Sequence, residues 1–153
     1  MLDPAQLERI LAQARLAPCV ESLGLTLLEA QPGWCRLSAR HDPRYDGVLP
    51  GFHGGMLANV ADCAAWFAVV TQIDPAETLL TTDLDVRYLN PCLTDVIAAA
   101  RVIKLGKTLC PVMVELGDTA GQAVAIAQVT YIRVDSVRAV TNGVSNPRGA
   151  SDS

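Results

Sequence analysis

The sequence predicts an α+β domain, with helices packed on one face of a single antiparallel sheet. Three features lead to it. A long, alanine-rich helical segment lies at residues 54 to about 71. Two strand-like segments precede it and four follow it. Short turns join consecutive strands, which implies antiparallel pairing. The length of 153 residues is that of one domain. Residues 1–136 are assigned to it, and the polar, turn-rich residues 137–153 are expected to form a disordered tail.

Asp3-Pro4 opens the first helix, with Asp3 as N-cap and Pro4 at the first helical position. Leu7, Ile10, Leu11 and Ala14 share one face, and Pro18 is expected to stop the helix. Residues 23–30 read as a strand and Gln31-Pro32-Gly33 as a turn. Residues 34–40 are a second strand, with Trp34, Arg36 and Ser38 on one face. Residues 41–52 contain Pro43, Gly47, Pro50 and Gly51 and read as a loop. The helix that follows is apolar almost all round and must be covered on every side. One sheet wraps part of it, and a second copy of the chain is the economical cover for the rest. Asp74-Pro75 ends it. In residues 78–89, Leu84, Val86 and Tyr88 face one way and Asp83, Asp85 and Arg87 the other. After Asn90-Pro91, strands are expected at 95–104, 108–116 and 123–134, with bends at Leu105-Gly106 and at 117–121.

Composition narrows the functions. Half the residues are hydrophobic and mean hydropathy is +0.27, so the chain is expected to hide apolar surface against copies of itself. A net charge of −4, with no basic block, argues against a nucleic-acid partner. Five widely spaced cysteines include no C-x-x-C pair. They are expected to be reduced thiols in a cytoplasmic protein, with Cys63 a packing residue. The two histidines, His41 and His53, lie apart, so no metal centre is expected, and His41 is expected to be solvated. The first residues are not read as a signal peptide, and no membrane span is expected.

The stretch HGGMLANVAD, residues 53–62, carries the chemistry. Gly54 and Gly55 leave a helix start bare of side chains, where unpaired amides and the macrodipole favour developing negative charge. An acyl-transfer site needs such donors for its oxyanion. The alternative is that the glycines only permit a tight entry into the helix. Asp62 is a lone carboxylate on an apolar helix, either bonded to backbone or Asn59, or kept for use. Gly55 and Asp62 are separated by about 10 Å along one helix. Two antiparallel copies would bring the start of one helix beside the middle of the other. A two-fold dimer is therefore expected, with Gly55 from one chain and Asp62 from its partner. Trp66, one turn beyond Asp62, would line an acyl pocket or fill core. Lys104 and Lys107, flanking Gly106, would meet phosphates or form an ordinary solvated turn.

His53-Gly54-Gly55…Asp62, with TTDLDVRYLNP at 81–91, KLGKTL at 104–109 and VELGDTAGQAVAIAQVTY at 114–131, resembles the hotdog-fold acyl-CoA thioesterases of the phenylacetic-acid-degradation type. The likeness runs over roughly residues 20 to 134. It implies a long helix wrapped by a curved antiparallel sheet, edge-to-edge dimers that often form tetramers, and metal-free hydrolysis of acyl-CoA. No separate cofactor is implied, because coenzyme A enters with the substrate. By position, Asp62 would be general base or nucleophile and the Gly55 amide would polarise the carbonyl. His53 would hold the thioester or order the loop, and Thr81 would position water. In one departure Gly47, preceded by Asp46, stands where many members carry Asn. Two rival functions share this fold: an enoyl-thioester hydratase or dehydratase using His53 and Asp62, and a non-catalytic acyl-CoA sensor.

Overall fold

The computed structural model describes residues 2–134. The last two residues of the expected domain and the expected tail lie outside them. Helix α1, Pro4–Ala14, begins where Asp3 accepts a hydrogen bond from the Ala5 amide. Ile10 and Ala14 are buried, as the helical spacing requires. Pro18 does more than stop this helix. It takes the first position of a second short helix, α2 (Pro18–Ser22).

Strands β1 (Leu25–Gln31) and β2 (Trp34–Ala39) form a hairpin. Its turn uses Gly33 at φ 75°, a conformation only glycine adopts cheaply. The Gly33 amide donates to the buried hydroxyl of Thr71 at the end of α3 (Gly54–Val70). That bond helps tie hairpin to helix, as does the Cys35 thiol donating to the Ala64 carbonyl at 3.3 Å, and an unpaired buried N–H would cost about 1–3 kcal/mol. Strands β3 (Thr78–Tyr88), β4 (Val96–Val102), β5 (Leu109–Asp118) and β6 (Ala123–Val134) complete a six-stranded antiparallel sheet.

The strand order is β1-β2-β4-β5-β6-β3, which corrects the expectation that sequence neighbours pair throughout. β3 runs along β6 at the far edge, and β4 pairs with β2 instead. The connection over residues 89–95 can reach about 20 Å, enough to cross three strand spacings of about 4.8 Å. Cys35, Leu37 and Ala39 of β2 point inward, as do Val96, Ala98 and Ala100 of β4 and Val112, Val114 and Leu116 of β5. They pack on α3, where Ala61, Ala64, Ala65 and Ala68 let the sheet come close.

A bulge in β3 decides which side chains meet the helix. Its register on β6 shifts between Thr81 and Asp83, leaving Thr82 as an extra residue. Leu79 and Thr81 face inward before the bulge; Leu84, Val86 and Tyr88 do so after it, opposite Val129, Ala127 and Ala125. Strict alternation would have turned one of these sets outward. Asp83, Asp85 and Arg87 lie on the outer face, where Arg87 pairs with Asp85.

Candidate active site

Asp62 lies about two turns inside α3, on a wall of a cavity of ≈ 540 Å³. Leu16 and Val20 of the N-terminal segment, Trp66 and Phe67 of α3, and Leu79 of β3 give that cavity an apolar lining. Asp62 is half-buried in the single chain, rather than enclosed in the core. Two hydroxyls hold its carboxylate. Thr81 Oγ1 donates to Oδ1 at 2.9 Å and lies 3.2 Å from Oδ2. The Tyr131 hydroxyl lies 2.8 Å from Oδ1 and 2.9 Å from Asp62's own carbonyl oxygen. Asn59, the partner weighed from sequence, instead accepts from the Cys63 thiol. Among the described residues no cation pairs with Asp62 within 4.0 Å.

Thr81 and Tyr131 reach Asp62 together because they are register partners across β3 and β6. Burial, and then the Asp62 carboxylate beside it, push the Tyr131 phenol up, so it remains a donor. Tyr131 was not anticipated. Its signal was a tyrosine on the inward face of an apolar strand, where its hydroxyl needs a partner.

The helix start is a separate cluster. His53 is the N-cap of α3, and its Nδ1 accepts the Gly55 amide at 3.0 Å. The amide expected to meet a carbonyl is thus already engaged. Among the described residues the Gly54 amide has no partner, and the Gly54 carbonyl oxygen accepts from Tyr88 at 2.6 Å. A Cβ on Gly47 would lie 3.8 Å from the His53 ring, so position 47 does face this cluster. Asp46 is held by His41 at 2.6 Å, and both are largely covered, which corrects the expectation of a solvated His41.

The structure brings Asp62, Thr81 and Trp66 to one cavity, with Tyr131. It gathers His53, Gly54 and Gly55 at the helix start, outside that cavity. Gly55 and Asp62 nonetheless share one face of α3, because seven residues are almost two whole turns. That face is the part of α3 its own chain leaves uncovered: Gly55 is exposed and Ala58, Asn59 and Asp62 are half-buried. Its own chain therefore covers only part of the helix.

Lys104 and Lys107 are exposed on the β4–β5 bend and do not line the cavity. Gly106 is a packing requirement of that bend, since a Cβ there would meet the Leu109 carbonyl oxygen at 2.3 Å. Its own carbonyl accepts from Arg133, which pairs through two nitrogens with Glu77 on the cavity wall. Cys63 is not simple packing. It faces the Asp62 cavity and touches Cys19. No helix among the described residues is long and apolar enough to cross a membrane.

Residues 8–134 match the model of DUF4442, a domain of unknown function. A candidate esterase of Halobacterium salinarum is 34% identical over 92 residues, 57% of this chain and 61% of that protein. The match therefore spans less than two thirds of that relative. Acyl-coenzyme A thioesterase 13 of Homo sapiens is 27% identical over 98 residues, 63% of this chain and 69% of that protein. The solved structure of the E. coli PaaI protein, from the phenylacetic acid degradation operon, superposes with a TM-score of 0.79 at 19% identity. That superposition covers 89% of this chain and 98% of the other, and it shows the shared hotdog fold.

Proposed function

Because this chain belongs to the DUF4442 family and has the hotdog fold of the thioesterases, we propose that it hydrolyses acyl-CoA thioesters to free acid and coenzyme A. The observation that carries this reading is the Asp62 carboxylate, fixed by two hydroxyls and, among the described residues, unpaired by any cation, on the wall of an apolar cavity. Esterase and thioesterase relatives support it.

In this reading Asp62 takes a proton from water as that water attacks the thioester carbonyl carbon. The same proton then leaves with the coenzyme A thiolate as a thiol. Thr81 and Tyr131 fix Oδ1, leaving Oδ2 to face the water. The carbonyl oxygen, which gains negative charge, needs a donor. Among the described residues the Gly54 amide is the one without a partner, and His53 supports it by capping the next amide. Gly54 and Asp62 of one chain are too far apart, so the donor comes from a second copy. Support for that copy lies in the uncovered face of α3 and in β3, an eleven-residue edge strand. Leu84 and Tyr88 face inward on that strand, yet are 38% and 53% exposed. A homodimer pairing these edges would seat one helix start against the partner's Asp62. Acyl chains would lie along Trp66, and a homotetramer would bury the remaining apolar surface.

The test is release of free thiol from a panel of aliphatic and aromatic acyl-CoAs. Turnover of at least one supports hydrolysis. Hydration of an enoyl-CoA without thiol release would assign the chain to the hydratases, and tight binding without either reaction would make it a sensor. If Tyr131 positions the base, Tyr131→Phe lowers kcat roughly ten- to a hundredfold with KM nearly unchanged, since hydrogen bonds to charged groups are worth about 1.5–3 kcal/mol. A loss confined to KM would assign Tyr131 to substrate binding instead.

A further inference from the structure

We propose that Cys19 and Cys63 are a modification site: an oxidisable thiol pair that closes to a disulfide and narrows the cavity beside Asp62. Their sulfurs lie 3.7 Å apart, one on α2 and one on α3. Both are half-buried and both line the Asp62 cavity. Cys35, Cys92 and Cys110 are buried, with their thiols directed at backbone carbonyl oxygens. A disulfide needs a sulfur separation of about 2.05 Å, so a movement of under about 2 Å closes the pair. The element that would move is α2, five residues long and without a side-chain cap at Ala17. Its own Val20 and the preceding Leu16 form part of the cavity wall, so drawing α2 onto α3 moves that wall toward the acyl path.

The oxidant is a peroxide. Cys19 attacks one peroxide oxygen, forming a sulfenic acid and releasing water. The Cys63 thiol then displaces the hydroxyl, forming the S–S bond and a second water. Burial, then the neighbouring Cys19, push the Cys63 thiol up, so it is the poorer first nucleophile and acts second, giving its proton to the departing hydroxyl as its sulfur attacks. A dithiol reverses the change.

The test treats the full chain with hydrogen peroxide under native conditions and maps its peptides by mass. A Cys19–Cys63 cross-link is expected, with two of the five thiols lost and recovered on addition of dithiothreitol. A native protein that keeps five thiols, or forms cross-links only elsewhere, overturns the proposal. The effect on the cavity rests on the hydrolase reading and is measured separately, by thiol release before and after oxidation. Oxidation is expected to lower kcat/KM by about tenfold or more. Cys19→Ser and Cys63→Ser should each retain most of their own untreated rate. Equal losses in these variants would overturn the control role. The cross-link itself stays measurable even if no acyl-CoA is turned over.

Discussion

Replacing Asp62 by Asn is expected to lower kcat by about 10²- to 10⁴-fold, the range general bases supply, with acyl-CoA binding retained. The amide has the shape of the carboxylate, and its oxygen still accepts from Thr81 and Tyr131, so neither the fold nor the cavity should change. It cannot take a proton from water. Thiol release gives the rate and calorimetric titration gives the binding. A variant that hydrolyses at the parent rate would remove Asp62 from the chemistry. One that loses binding and turnover together would make the residue structural.

Gly54→Pro should cost about 10²- to 10³-fold in kcat, the usual effect of removing one oxyanion donor. Proline is suited to the first turn of a helix, and it deletes only the Gly54 N–H. The residue before it must be extended, and His53 already is, at φ −60° and ψ 138°. The added Cβ would come within 3.2 Å of the Tyr88 ring, an exposed side chain that can move. Gly54→Ala makes the same contact but keeps the amide. A large loss in the proline variant with a small one in the alanine variant assigns the effect to the amide. Equal losses would assign it to crowding by Tyr88.

What could be read from the residues was local. Asp3-Pro4, the Leu7–Ile10–Leu11–Ala14 face, the Pro32-Gly33 turn and the start of α3 follow from capping, spacing and glycine geometry within a few positions. Asp62 stood out because a carboxylate on an apolar helix must be satisfied or used. Tyr131 was hidden because its approach depends on β3 lying beside β6, a pairing that no short turn announces. The Thr82 bulge was hidden for a related reason: one extra residue changes the facing of all that follow, yet leaves the hydrophobic pattern of each half intact. His53 was weighed as a thioester holder or a residue that orders the loop, and the structure makes it the cap that engages the Gly55 amide. Cys19 and Cys63 are 44 residues apart, and only the fold of α2 onto α3 brings them together.

Protomers carrying Asp62→Asn and protomers carrying Gly54→Pro, co-expressed with different affinity tags and purified as the mixed dimer, decide whether the site is shared. If base and donor come from different chains, one site in the mixed dimer combines both lesions and the other is whole. About half the parent activity should then return, although either variant alone is nearly inactive. If the mixed dimer stays as inactive as its parents, each site is built within one chain, and the shared arrangement is wrong.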